Sequence, residues 1–192
     1  MQAKRIIIYK YNLKGFVAMK KFLVVVDMQN DFVNGALGTA EAQAIVGNAV
    51  NEIESFDGEI IATFDTHFDN YPETAEGKKL PVKHCIKGTD GWKLNADVQK
   101  ALDAKGFTSV EKLTFGSVDL PNLIAEKAGD EDFEIELIGL CTDICVISNA
   151  LLLKAHFPEK AISVKENCCA GVTPDLHSAA IASMNSCQID II

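Results

Sequence analysis

The sequence predicts an α/β domain in three layers, a six-stranded parallel sheet between two layers of helices. Three observations point there. Short apolar runs alternate with helical stretches from end to end, the first run is apolar on consecutive residues, and reactive side chains recur just after the runs. A chain of 192 residues with 48% apolar and 23% charged side chains is suited to one hydrophobic core. Thirteen Gly and 5 Pro are ordinary for a globular protein and exclude collagen-like and low-complexity chains.

In chain order, the first strand is expected over 22–26 (FLVVV), where Phe and Val suit a strand covered on both faces. A helix is expected over 41–55 and a second strand over 59–64 (EIIATF). No helical or strand period persists over 65–91, where polar residues, Gly and Pro cluster; loops of that length in compact domains are usually functional or disordered. A helix over 95–105 and a short strand over 108–111 come next, then a helix over 119–126 and a strand over 134–139. The remaining elements are a helix over 143–156, a strand over 161–164, a helix over 174–185 and a strand over 188–192. Thr173 before Pro174 is a good helix start, because Thr caps free amides and Pro fits the first helical position. Strands and helices alternating this way give a parallel sheet with right-handed crossovers.

Charge narrows the partners. Eighteen basic against 27 acidic side chains leave a formal charge of −9, the wrong sign for coating a nucleic-acid backbone or an anionic membrane, and a small neutral substrate is easier to accommodate. The first 18 residues hold Lys4, Arg5, Lys10 and Lys14 and no acidic residue, so they differ in kind from the rest of the chain. Their apolar stretch is cut by Lys10 and Lys14, too short for a secretion signal or a membrane span. The expectation is an N-terminal extension over 1–18, outside the core, and a cytoplasmic domain over 19–192. In a reducing compartment the six cysteines act as small buried hydrophobes, metal ligands or nucleophiles rather than disulfides.

In an open parallel sheet the ligand site lies beyond the carboxyl ends of the strands. The residues at those positions are Asp27, Asp65, Lys112 and the segment from Cys141 to Cys145. Asp27, flanked by apolar residues, is partly desolvated there, which raises its pKa toward the range of a proton acceptor; a turn or helix-cap aspartate is the plainer reading. Cys145 falls in the first turn of the helix expected from Asp143. Helix amides and the helix dipole favour a thiolate at that place, and Lys112 supplies a cation to depress its pKa further; a small buried residue in an amphipathic helix is the alternative.

Five ordered segments together carry more: 24–32 (VVVDMQNDF), 65–67 (DTH), 80–92 (LPVKHCIKGTDGW), 112–117 (KLTFGS) and 139–146 (GLCTDICV). With them the chain from Lys21 to Ile192 resembles the isochorismatase-like cysteine hydrolases, the superfamily that includes nicotinamidases, N-carbamoylsarcosine amidase and ureidoacrylate amidohydrolases. The resemblance implies the isochorismatase-like hydrolase fold and a catalytic triad of Asp27, Lys112 and Cys145, with Cys145 attacking an amide carbonyl to form a thioester. It implies a non-proline cis peptide at Cys141–Thr142, with the N–H groups of Thr142 and Cys145 as oxyanion donors. Asp65, His67 and His84 match the positions with which nicotinamidases hold a divalent ion (zinc, iron or manganese). Many nicotinamidases have a third histidine between the last two; this sequence has none there, and Glu76 or Glu73 is the substitute. Phe32 and Phe115 are expected pocket walls, Trp92 a packing or subunit-contact residue, and His156 and His177 surface residues. The expected substrate is nicotinamide, with an N-carbamoyl or ureido compound as the alternative and a non-catalytic oligomeric binding module as the reading from a different class. Relatives are commonly dimers or larger, so a homo-oligomer is expected.

Overall fold

The computed structural model describes residues 19–192; the extension expected over 1–18 lies outside the described residues. Six parallel strands form one sheet: β1 (Lys20–Val26), β2 (Glu59–Asp65), β3 (Thr108–Lys112), β4 (Phe133–Leu140), β5 (Ala161–Ala170) and β6 (Asp190–Ile191). Their spatial order is β3-β2-β1-β4-β5-β6. The helices are α1 (Asn30–Val33), α2 (Ala40–Ala44), α3 (Val46–Ser55), α4 (Ala75–Lys79), α5 (Ala96–Lys105), α6 (Leu120–Ala128), α7 (Ile147–His156) and α8 (Pro174–Ser186).

The consecutive apolar residues of β1 are explained by its central place. Leu23 and Val25 face a core shared with Ala49 and Ile53 of α3 and Val98 and Leu102 of α5. Phe22, Val24 and Val26 face a second core built with Ile124 of α6, Leu153 of α7 and Met184 of α8. Neighbouring side chains on a strand point to opposite faces, so a strand covered on both sides reads as unbroken hydrophobicity. No helix among the described residues is long and apolar enough to cross a membrane.

The order of the strands reverses direction at β1, which pairs with β2 on one side and β4 on the other. That is the switch point of an open parallel sheet, where a crevice opens beyond the strand ends. Gly139 makes the close approach possible. Its φ is +120°, and a Cβ on it would lie 2.1 Å from the carbonyl oxygen of Val26.

Several boundaries differ from expectation. The stretch 41–55 is two helices meeting at Ile45. β5 continues to Ala170 because a register irregularity lets it pass the polar residues Lys165, Glu166 and Asn167: Val164 pairs with Leu137, but Cys169 pairs with Gly139. The polar run conceals this continuation in the sequence. The expected last strand shortens to two residues. Within 65–91 the chain forms a 3₁₀ turn over Tyr71–Glu73 and the short α4, capped by Thr74 Oγ1 accepting from the N–H of Gly77. Thr173 caps α8 as expected, accepting from the N–H of Leu176.

Candidate active site

Asp27, Lys112 and Cys145 come together from the ends of three strands. Lys112 Nζ lies 2.6 Å from Asp27 Oδ2 and 3.5 Å from Cys145 Sγ, and all three residues are buried. Asp27 follows β1 with φ +48°, a conformation uncommon outside Gly, Asn and Asp, and Thr63 of β2 donates its hydroxyl to Asp27 Oδ1 at 2.7 Å. One carboxylate oxygen is thus held by a hydroxyl and the other by an ammonium.

Burial shapes the protonation of this group. Desolvation raises the pKa of Asp27 against the pull of Lys112. The ammonium of Lys112 is likewise opposed by burial, but Asp27, Cys145 and Asp65 outweigh it and keep it charged. For Cys145 the expectation of a depressed pKa is overturned: desolvation, followed by the Asp27 charge, pushes the thiol well above its ordinary value despite Lys112. The expectation counted the cation and the helix end but not the two carboxylates, Asp27 and Asp65, that share the cation. Burial thus opposes both the thiolate of Cys145 and the carboxylate of Asp27, and Lys112 favours both.

The turn that presents Cys145 also differs from expectation. β4 runs one residue further, to Leu140, and the cis peptide is Leu140–Cys141 rather than Cys141–Thr142. Thr142–Val146 forms a turn of π-helix ahead of α7, and the Cys141 carbonyl accepts from the N–H groups of Ile144 and Val146. Cys141 and Cys145 line the cavity, whereas buried Thr142 turns its hydroxyl to His177 Nδ1 at 2.8 Å. His177 is thus a half-buried partner of the turn that presents Cys145 and not a free surface residue, while His156 is exposed as expected. Asp143 Oδ1 accepts from the N–H of Val172, a second tie between this turn and the chain leading into α8.

Beside the triad, four donor atoms converge. Asp65 Oδ2 and His67 Nε2 are 3.0 Å apart, and Glu76 Oε1 lies 3.6 Å from Nε2 of both His67 and His84. His84 Nδ1 bonds the Val82 carbonyl at 2.8 Å, which fixes the proton on that nitrogen and leaves the Nε2 lone pair facing the cluster. His67 Nε2 is buried with the Asp65 and Glu76 carboxylate oxygens beside it. Asp65, His67 and His84 offer ligand atoms close enough together to hold one divalent ion, with the Glu76 carboxylate 3.6 Å from both imidazoles and the His84 tautomer set for ligation. Of the two glutamates expected as substitutes, Glu76 is the one whose carboxylate faces both imidazoles. Burial lowers the His67 pKa, but the Asp65 and Glu76 carboxylates outweigh it and raise it. Burial raises that of Asp65, and His67 and Lys112 outweigh it and lower it.

A cavity of about 540 Å³ joins both groups, with Phe32, Leu113 and Phe115 among its walls beside Cys145 and the donor cluster. Trp92 packs on Phe64 and donates its indole N–H to Thr66, so it serves packing. Some residues with no expected role hold the frame. Gln29, fully buried, donates to the carbonyls of Asp65 and Trp92 and accepts from the Asp65 N–H, fastening the end of β2. Asp31 accepts from the N–H of Cys85, next to His84. Both stand in the DMQND segment, where their nearness to Asp27 is the only signal of such work.

The chain matches the isochorismatase domain family over residues 21–192, and it belongs to that family. Within the family it is nicotinamidase-related. It is similar to the nicotinamidase/pyrazinamidase of Mycobacterium tuberculosis, 26% identical over 189 residues that cover 88% of this chain and 97% of that protein. It is similar to the crystal structure of nicotinamidase PncA from Bacillus subtilis, with a TM-score of 0.76 and 28% identity, over 90% of this chain and 99% of that one. N-carbamoylsarcosine amidase from Thermoplasma acidophilum is also similar, with a TM-score of 0.72 and 28% identity, covering 90% of this chain and 95% of that one.

Proposed function

We propose that the chain is a cysteine-dependent amidohydrolase that converts nicotinamide to nicotinate and ammonia through a thioester on Cys145. The observation that carries this reading is Lys112 Nζ, in contact with both Asp27 and Cys145, with Cys145 lining a cavity whose walls also include Asp65, His67, Glu76 and His84. Similarity to nicotinamidases along nearly the whole chain supports the choice of substrate.

In the mechanism, Asp27 takes the thiol proton as Sγ attacks the amide carbon, and Lys112 keeps its charge beside both groups. Backbone N–H groups of Cys141 and Cys145, the cavity-lining residues of the turn, are the donors for the developing oxyanion. Asp27 returns its proton to the departing nitrogen, ammonia leaves, and the acyl group stays on Sγ. Water then attacks the thioester, giving its proton to Asp27, which returns it to Sγ as the acid departs. Phe32 and Phe115 provide apolar walls for a flat ring. A divalent ion held by Asp65, His67, Glu76 and His84 would supply a fixed positive centre for orienting the substrate; zinc, iron and manganese suit that donor set.

The same reading makes the protein a cytoplasmic homo-oligomer, dimer or larger, whose partner is a small amide and not a nucleic acid or a membrane. Free cysteines, a net charge of −9 and the exposed Leu113, Phe115 and Val118 support these points. The similarity to N-carbamoylsarcosine amidase favours an N-carbamoyl substrate as the second reading. Ammonia release tests both. Purified protein is assayed with nicotinamide and a panel of N-carbamoyl compounds, each with and without added zinc, manganese or iron. Release from nicotinamide that Cys145→Ala abolishes supports the proposal. Release only from a carbamoyl compound moves the substrate to the second reading, and none from any compound sinks the enzyme.

A further inference from the structure

Asn149 is fully buried in the first turn of α7, which continues the π-helical turn of Cys145. An asparagine inside a helix is out of place by propensity, because its amide competes for backbone partners. Here the amide uses both its ends. Nδ2 donates to the Cys145 carbonyl at 2.8 Å and to the Phe115 carbonyl at 3.3 Å, and Oδ1 accepts from the N–H of Ser117 at 2.9 Å. One side chain thus reaches the backbone of the nucleophile and two backbone groups of the loop that leaves β3 after Lys112. The hydroxyl of Ser117 carries the tie onward by accepting from the N–H of Leu120 at the start of α6.

The loop is also pressed on α7. A Cβ on Gly116 would lie 3.2 Å from the Ser148 carbonyl and would push the tip of Leu152 aside, so the loop lies close against the helix. At one end of the loop stands Lys112, whose Nζ is 3.5 Å from Cys145 Sγ. In its middle stands Phe115, a wall of the cavity.

We propose that Asn149 is a positioning residue: it ties the turn of Cys145 to the 112–117 loop, and so sets both the spacing of Lys112 from the thiol and the place of the Phe115 wall. The inference concerns the cysteine site assigned above and rests on that assignment, but not on the substrate.

Two variants separate its parts. Asn149→Leu keeps the shape and removes every bond. In Asn149→Thr the hydroxyl can still donate to the carbonyl four residues back, that of Cys145, while the bonds to the loop are lost. Leu153→Ala, equally buried one turn along α7, is the control for lost stability. Each protein is titrated for the rate of Cys145 alkylation against pH by iodoacetamide, and for the ratio of labelling rates between N-phenylmaleimide and iodoacetamide; KM and kcat are taken wherever ammonia release is measurable. Asn149→Leu also releases the turn of Cys145, so the thiol no longer stays beside Lys112, its profile moves to higher pH and kcat/KM falls on the order of a hundredfold. Asn149→Thr admits the bulky reagent several times more readily and raises KM more than it lowers kcat, as a displaced wall requires. Leu153→Ala lowers the melting temperature and changes neither reading.

A wild-type labelling ratio in Asn149→Thr overturns the proposal, whether or not Asn149→Leu folds. So does an Asn149→Leu protein whose pH profile matches wild type. Because alkylation reads Cys145 without substrate, a protein inactive on nicotinamide still answers the question.

Discussion

Asp65 faces Lys112 with one carboxylate oxygen, Oδ1 to Nζ at 3.2 Å, while its other oxygen lies 3.0 Å from His67 Nε2. The donor cluster and the triad therefore share a side chain, and the two halves of the site are one electrostatic unit.

Loss of Asp65 is predicted to differ in kind from loss of the other donors. His84→Ala and Glu76→Gln each weaken binding of a divalent ion about tenfold or more, and excess ion restores most of the activity. Asp65→Asn weakens binding too, but it also leaves Lys112 with Asp27 as its one carboxylate, so excess ion does not restore the rate. Calorimetric titration with zinc or manganese, paired with activity at saturating ion, checks this; full recovery in Asp65→Asn contradicts it.

The charges around Cys145 set the order of thiol reactivity. Asp27 pushes the thiol pKa up and Lys112 pulls it down. Asp27→Asn is therefore predicted to move the alkylation profile to lower pH while abolishing turnover, since the proton acceptor is gone. Lys112→Ala moves the profile to higher pH. Iodoacetamide kinetics across pH 6–10 bracket the ordinary thiol value of about 8.5. An unchanged profile in Asp27→Asn contradicts the placement of this carboxylate beside the thiol.

Gly139 is the residue on which the crevice depends. A Cβ there would enter the Val26 carbonyl, and its φ of +120° is strained for any other residue. Gly139→Ala is predicted to cost about 2–4 kcal/mol in chemical denaturation. A cost below about 0.5 kcal/mol contradicts the close packing of β4 on β1.

Away from the site, Glu136 of β4 has a pKa raised to about 7, by burial first and then by Glu52 of α3, against the opposing charge of Lys165 from β5. Glu52 and Lys165 are themselves paired, and Glu134 adds repulsion along β4. Between the ordinary glutamate range and about pH 7 the folded chain holds more protons here than the unfolded one, so this group's contribution is present at low pH and is lost as pH rises through about 7. Glu136→Gln removes the charged form and is predicted to raise the melting temperature by a few degrees at pH 8, with the gain vanishing near pH 4.5. A gain independent of pH contradicts the titration.

The sheet was legible because its pattern is simple: consecutive apolar residues in β1 and chemistry-bearing residues at the strand ends both result from a parallel sheet covered on two faces. The meeting of Asp27, Lys112 and Cys145 was legible for the same reason, since each comes at or after the end of an apolar run. Three-dimensional neighbours were not. The second half of β5 is polar where it bulges, and nothing in one dimension shows that Leu140 still pairs with a strand or that the cis bond precedes Cys141. For Cys145, the helix end and the cation are visible in the sequence, while its complete burial and the sharing of Lys112 with Asp27 and Asp65 exist only in three dimensions. Glu76 over Glu73 was decided by α4, whose Thr74 cap sets which glutamate turns toward His67 and His84.

The covalent intermediate offers the sharpest test of the cysteine mechanism. Enzyme quenched in acid during turnover of nicotinamide is digested and examined by mass spectrometry. The expected product is a pyridine-3-carbonyl adduct on the peptide containing Cys145, absent from Cys145→Ser. Quenched enzyme that turns over nicotinamide with no adduct, together with a Cys145→Ser variant that keeps the wild-type rate, would contradict the mechanism.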